Sequence, residues 1–394
     1  MTTGRHYGLD WLRIAAFALL IPYHAALVFA PAHWLVNARE AVDGLIVPMA
    51  LMTPWRLALL FAVSGFASRK LFDKSSDVRT FLSSRNARLL IPLGFAMVAL
   101  LPVEIWIRAI QAGYSHDLLT FWTRDYWRWG TYWGVELPSY EHLWFVAYLW
   151  FYTLILCGLL AFGLLPRLQR WFDDLTAGIG LLWLPIAGLV LAKLPLTFLL
   201  PEHGGVLTDW NAHATNFPLF LLGFLIAGGR FAFIDIARLW RQAAVIAALS
   251  AVIVVHTDLT WAATEMPPHG WMALDRAARM AMAWSMILVL FHAATMLFNR
   301  DHPWRATLVE AVFPAYIIHQ VAIVVIAWWL QPAGGAAWLG EYALILGGTL
   351  VVCAAFYLIG SRIAPLRPLI GLAPASAVKR GAKAAAAAGH STAG

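Results

Sequence analysis

Apolar stretches dominate the chain, over about 10–30, 45–66, 89–110, 142–163, 177–200, 214–229, 242–258, 273–298, 307–331 and 338–360. Each approaches the roughly 20 residues that carry a helix across a hydrocarbon core, the sixth and seventh being the shortest. The pattern predicts an all-α, polytopic integral membrane protein with about ten transmembrane helices. The polar intervals are sorted by charge. Arg69, Lys70, Lys74, Arg79, Arg85 and Arg88 separate spans two and three, and Arg167 and Arg170 follow span four. Arg230, Arg238 and Arg241 follow span six, Arg300 and Arg305 follow span eight, and Arg362, Arg367, Lys379, Arg380 and Lys383 follow span ten. Basic loops stay on the cytoplasmic side, so these segments agree with one another if both termini are cytoplasmic.

The first span breaks its own pattern. It opens with Leu9-Asp10-Trp11-Leu12-Arg13 and is interrupted again at His24. A charge inside a span costs roughly 2.5–3.5 kcal/mol on insertion scales, which makes these residues functional candidates. On an uninterrupted helix, eleven residues place Arg13 and His24 within roughly 20° of one face and about 16 Å apart along the axis. Asp10, three residues before Arg13, is within reach of a local ion pair. The plain alternative has Arg13 snorkelling to the headgroups and His24 facing a helix bundle.

Composition narrows the class. Of 394 residues, 61% are hydrophobic and 12% charged, against about 25% charged in soluble domains. The net charge of +7 follows topology, with its basic residues in short loops, and does not call for nucleic acid. Cys157 and Cys353 both fall in apolar spans, a placement that does not suggest a disulfide or metal framework and reads them as small packing residues. Ala30-Pro31-Ala32 resembles a signal-peptide cleavage site, but the apolar stretch from Ile14 to Ala32 exceeds the usual h-region and predicts a retained first helix. No internal repeat of the kind common in transporters is evident. Residues 1–370 therefore form one transmembrane domain, and 371–394, rich in Ala, Gly, Ser and Lys, are expected to be a disordered cytoplasmic tail.

Further polar groups punctuate the other spans. Ser64-Gly65-Phe66 closes the second, Ser84-Arg85-Asn86-Ala87-Arg88 precedes the third, and Glu141-His142-Leu143-Trp144 opens the fourth. Asp209-Trp210-Asn211-Ala212-His213 leads into the sixth, and the ninth runs from Glu310 through Tyr316 to His319-Gln320. Each has a plain role as topology marker, interfacial helix start or close helix contact. Glu310 and His319 lie nine residues apart, about 180° around a helix, so at most one of them shares a pocket with His24. The loop at about 111–141 carries Trp122, Tyr126, Trp127, Trp129, Tyr132, Trp133 and Tyr140. These serve equally as an interfacial belt or as stacking surfaces for sugar rings.

In this order the segments resemble the bacterial membrane acyltransferase-3 family from residue 7 to about 370. The resemblance rests on Leu9-Asp10-Trp11-Leu12-Arg13 with His24, Pro54-Trp55-Arg56 with Ser64-Gly65, and Arg85-x-x-Arg88-Leu-Leu-Ile-Pro92. His142-Leu-Trp-Phe-Val-Ala-Tyr148 and Val309-Glu310-Ala311-Val312 through His319-Gln320 complete it. Val309 stands where related chains often have Asn. The chain looks like the stand-alone members, and Ala32-His33-Trp34-Leu35-Val36-Asn37 is similar to the glucan biosynthesis protein C-like succinyltransferase branch.

The resemblance implies a multi-pass protein of the bacterial inner membrane that moves an acyl group, acetyl or succinyl, from acyl-CoA to a carbohydrate hydroxyl. It implies His24 as catalytic base, with Arg13 and Glu310 assisting, and Arg85, Arg88 and Arg13 as coenzyme A contacts. Asp10, Ser64, His142, Trp144 and His319 are the expected substrate contacts. Acyl-CoA is then a donor substrate, no metal is required, and the partners are the bilayer, a carbohydrate acceptor and, in an oligomer, a second copy. The chemistry fits: histidine has an unperturbed pKa near neutral, a carboxylate can orient it, and an arginine can steady charge on a thioester oxygen. Direct transfer is simpler than an acyl-histidine intermediate. A transporter of glycan or lipid is the rival from another class, with the buried charges as its path; a non-catalytic assembly partner is a third.

Overall fold

The computed structural model describes residues 7–75, 77–200, 205–261 and 265–375. Most of them are helical: α1 (Tyr7–Ala18), α2 (Leu20–Leu27), α3 (Ile46–Phe72), α4 (Val78–Ala99), α5 (Leu101–Gln111) and the single turn α6 (Leu118–Thr120). A hairpin of β1 (Gly130–Tyr132) and β2 (Val135–Leu137), paired antiparallel, precedes the second half. That half comprises α7 (Trp144–Ala161), α8 (Leu165–Leu175), α9 (Gly180–Leu199), α10 (Trp210–Gly228), α11 (Ala232–Thr260), α12 (His269–Leu297), α13 (Pro303–Leu330), α14 (Trp338–Arg362) and α15 (Leu366–Leu369). The tail expected from residue 371 lies outside the described residues beyond 375.

The all-α membrane class holds, and the exact count of ten spans is not confirmed. Among the described residues, 7 segments are long and apolar enough to cross a membrane, or 8 if the bent pair α4–α5 is one span. The first and sixth expected spans fall short because of their polar content. Asp10, Arg13 and His24 interrupt α1–α2, and Asn211, His213 and Asn216 crowd the first turns of α10.

Prolines shape the helices that carry these groups. Pro22 has no N–H to offer the Ala18 carbonyl, and the first helix breaks at Leu19, between α1 and α2. Pro102 likewise leaves the Val98 carbonyl free, and α4 and α5 meet at 43°. The indole N–H of Trp122 donates to that carbonyl at 2.8 Å, so the loop beyond α5 is anchored on the group the proline released.

Small residues bring the central helices together. A Cβ on Gly65 would run into the Phe220 carbonyl of α10, and one on Gly223 into the Ala62 carbonyl of α3. Gly8 sits equally close to Ala294 on α12. Such contacts let helix backbones approach closely where hydrophobic burial gives no drive for helices to associate. α13 is central, with 67% of its apolar window buried, whereas 22% of the α14 window is buried and most of that helix faces outward.

The aromatic loop is a folded unit. Phe121 and Tyr126 are buried, and Trp133 packs edge-on to Tyr114 with ring centroids 4.7 Å apart. At the centre, the buried carboxylate of Asp125 accepts from the Tyr114 hydroxyl at 2.7 Å and pairs with Arg124 at 2.9 Å and Arg128 at 2.7 Å. The hydrogen bonds from Arg124 hold the Asp125 carboxyl down at about 2, and burial pushes the Tyr114 phenol up to about 12. The seven aromatics are therefore not one surface: Tyr126 and Trp133 build the loop's core, while Trp129 is 85% exposed.

Candidate active site

Two histidines meet across the bundle. Nδ1 of His24, on α2, lies 2.9 Å from Nε2 of His319, on α13. The other nitrogen of His319, Nδ1, lies 2.7 Å from the Tyr316 carbonyl of its own helix. A carbonyl only accepts, so His319 carries its proton on Nδ1, and in the neutral ring Nε2 is a lone pair. His24 must then donate from Nδ1, and its own Nε2 is left unprotonated. The chain of bonds thus fixes His24 in the tautomer that a general base requires. Its ring is near-parallel to those of His319 and Trp34, with centroids 5.1 Å and 6.4 Å away.

His142 is the third ring of the cluster, edge-on to His319 with centroids 5.2 Å apart. Its Nε2–H donates to the Ile317 carbonyl at 3.1 Å, while the Tyr316 hydroxyl donates to the His142 carbonyl at 2.5 Å. These reciprocal bonds lock the start of α7 to the middle of α13. His142 Nδ1 is buried without a hydrogen-bond partner, 4.0 Å from Oε2 of Glu104, which also lacks one. The second oxygen of Glu104 accepts from Gln320 at 2.7 Å.

Arg56 of α3 completes this end. The side chain is buried, its guanidinium carbon lies 3.3 Å from the Tyr23 ring centroid, and its charge reaches both His24 and His319. Nε and Nη1 have no hydrogen-bond partner.

A second group of cations gathers elsewhere on α1 and α4. Arg13, Arg85 and Arg88 lie within electrostatic range of one another, and Arg85 donates to Thr153 of α7 at 3.4 Å. Asp10 acts on Arg13 at longer range, but its close ion pair is with Arg305, at 2.6 Å. Among the described residues no carboxylate forms an ion pair with Arg13, Arg85 or Arg88. Such a cluster suits a polyanionic ligand, since arginine presents paired donors to phosphate oxygens.

A cavity of about 380 Å³ opens at the start of α7, lined by Trp144, Tyr148, Tyr140, Glu136, Glu141 and Asp209 among others. Glu141 forms part of that wall with a left-handed backbone, φ 38°, which a non-glycine residue adopts only when its surroundings impose it. Here Ser139 exchanges hydrogen bonds with both its backbone and carboxylate, and Arg108 pairs with the carboxylate at 2.8 Å.

The expected site residues are thus divided. His24, His319 and His142 converge, while Trp144 stands on the cavity wall and packs on Phe61 and Tyr148. Arg13, Arg85 and Arg88 form their own cluster. Ser64 belongs to the close crossing of α3 and α10, where its carbonyl accepts from Ser68. Glu310 is not brought to His24: its carboxylate pairs with Arg367 at 2.7 Å and accepts from Tyr357 at 3.3 Å. It points away because it sits half a helical revolution and about 13 Å along the axis from His319. Asp10 pairs with Arg305 of α13. The carboxylate nearest the histidines, Glu104, and the buried Arg56 were both visible as lone charges in apolar runs, Val103-Glu104-Ile105 and Trp55-Arg56-Leu57, and neither had been assigned a role.

Over residues 6–358 the chain matches the acyltransferase-3 family, described as an acyltransferase domain. No curated protein and no solved structure matches it.

Proposed function

The chain belongs to the membrane acyltransferase-3 family, and on that premise we propose that it transfers an acetyl or succinyl group from cytoplasmic acyl-CoA to a hydroxyl of an exported or periplasmic carbohydrate. The observation that carries the reading is the His24–His319–Tyr316 chain, which leaves His24 Nε2 as an unprotonated nitrogen. A sugar hydroxyl is a poor nucleophile until a base takes its proton as it attacks. His24 accepts that proton as the oxygen bonds to the thioester carbon. The carbon–sulfur bond then breaks, and the leaving thiolate of coenzyme A takes the proton back from His24.

The two other features fit the substrates. Arg13, Arg85 and Arg88 offer a cluster of positive charge with no close ion pair among the described residues, suited to the phosphates of a nucleotide-bearing donor. Eleven residues of helix separate Arg13 from His24, about 16 Å of rise if the helix were straight, a span for the donor's pantetheine arm to cross. The cavity at the start of α7 combines aromatic faces with carboxylates, the chemistry that holds a sugar ring by its apolar face and its hydroxyls. With the termini in the cytoplasm of a bacterial inner membrane, donor and acceptor approach from opposite sides.

The test uses membrane vesicles that contain the protein and its endogenous glycans, supplied with labelled acetyl-CoA or succinyl-CoA. Release of coenzyme A thiol coupled to label in hydroxylamine-labile esters, and lost in His24→Gln, supports the reading. Equal label transfer by wild type and a folded His24→Gln protein rejects it. Glutamine keeps polar volume and hydrogen bonding but supplies no base near neutral pH.

A further inference from the structure

The buried guanidinium of Arg56 has no task in the fold that accounts for its charge. The residue is 7% exposed, lies deep in α3 and stacks its guanidinium on Tyr23, the neighbour of His24. Stacking satisfies the face of the group but not its edge, where Nε and Nη1 have no partner. A buried charge with unmet donors is costly unless a partner meets it. Among the described residues no carboxylate forms an ion pair with it. The nearest titrating groups on the facing elements are Tyr23 and His24 of α2 and His319 of α13. Among the described residues no anion meets this cation, yet its charge is felt at the base.

Direct acyl transfer creates an anion at this place. As the hydroxyl oxygen bonds to the thioester carbon and its proton passes to His24, the carbonyl π electrons move onto the carbonyl oxygen. That negative charge lasts until the double bond reforms and the carbon–sulfur bond breaks. We infer that Arg56 is the oxyanion donor of this reaction, with Nε–H and Nη1–H directed at the carbonyl oxygen as it becomes charged. Arg13, the arginine that its sequence position offers for this task, is engaged with the cluster on α4. The donors of Arg56 are held in advance by the Tyr23 ring, whose hydroxyl is itself fixed to Thr53 at 2.8 Å. Donors that need no rearrangement are worth most where charge appears only in the transition state.

The inference rests on the acyl-transfer reading, and the experiment separates the two. In the vesicle assay above, wild type, Arg56→Met and Arg56→Lys are compared for kcat, for the acyl-CoA KM and for thermal stability after detergent extraction. Loss of one oxyanion donor costs about 10²–10³ in kcat. The expected result is a loss of that order in Arg56→Met with the acyl-CoA KM unchanged, and a partial return in Arg56→Lys, which restores the charge with a different donor geometry. Wild-type kcat in Arg56→Met overturns the inference alone. So does a rise in KM with kcat unchanged in either variant, which makes Arg56 a binding group. If Arg56→Met does not fold, Arg56→Lys decides by the same split: lower kcat at constant KM supports, constant kcat overturns. A wild-type protein whose label transfer does not depend on His24 overturns the acyl-transfer reading itself.

Discussion

His319 is predicted to set the tautomer of His24 and not to take part in the proton transfer itself. The perturbation is His319→Leu, which removes the lone pair that accepts the His24 Nδ1–H at 2.9 Å while roughly keeping the buried volume. A hydrogen bond of this kind contributes about 0.5–1.5 kcal/mol, so losing its hold on the tautomer lowers kcat by about 2–13-fold. Removal of the base itself, in His24→Gln, costs about 10²–10⁴-fold. His319→Gln restores an acceptor oxygen near the same position and should recover most of the loss. The assay is initial-rate acyl transfer at saturating acyl-CoA and acceptor, with detergent-extracted stability as a check on folding. A folded His319→Leu protein as inactive as His24→Gln would refute the reasoning, because His319 would then be the base. An unchanged rate would refute it too, since the tautomer of His24 would owe nothing to its neighbour.

Replacing Arg85 or Arg88 with Ala should raise the acyl-CoA KM by about 10–100-fold, the worth of a charged hydrogen bond of 1.5–3 kcal/mol, with Lys restoring part of it; an unchanged KM, measured across a salt titration, returns these residues to marking topology. Gly65→Val should lower the detergent melting temperature, since its Cβ meets the Phe220 carbonyl and overpacking costs about 1–3 kcal/mol; a wild-type melting curve would remove the α3–α10 crossing from the account of stability. The carboxyl of Asp125 is held down at about 2 in the folded loop, below its unfolded value of about 3.9, so its stabilisation is complete above pH 4 and is lost as pH falls toward 2. Tryptophan fluorescence of the loop should change over that window, and an Asp125→Asn protein that shows the same change would point to another group. Reporter fusions after Gly163 and Arg230 should read cytoplasm and one near Trp129 periplasm; a consistent exchange of sides would reverse the proposed entrances of donor and acceptor.

The unusual residues of this protein were legible because a membrane span tolerates few charges. His24 and Arg13 stand out against apolar neighbours, Arg85 and Arg88 sit in the polar run before the third span, and the family to which their order leads is the one that nearly the whole chain matches. Even the distinction between Glu310 and His319 was present, since nine residues on a helix place two side chains on opposite sides. The count of spans was less secure for the same physical reason. Length and hydropathy recognise a helix that faces lipid, and α1–α2 and α10 spend their polar residues on neighbours instead.

Along the chain, then, periodicity, charge placement and motif order determined the helical membrane class and the residues worth asking about. Tertiary structure alone decided who meets whom. Pro22 and Pro102 are visible as breakers, but where the broken pieces point depends on what they pack against, and it is the bend at Leu100 that accompanies the burial of Glu104 beside Gln320 and His142. The pairing of His24 with a residue 295 positions later is made where α2 meets α13, the helix that Tyr316 and Ile317 also tie to His142. The fate of each carboxylate is tertiary too, with Asp10 held by Arg305 and Glu310 by Arg367, both ion pairs formed only after the helices assemble. A local pattern records how a residue is solvated, whereas a partner across the bundle is chosen by packing, which no spacing along the chain encodes.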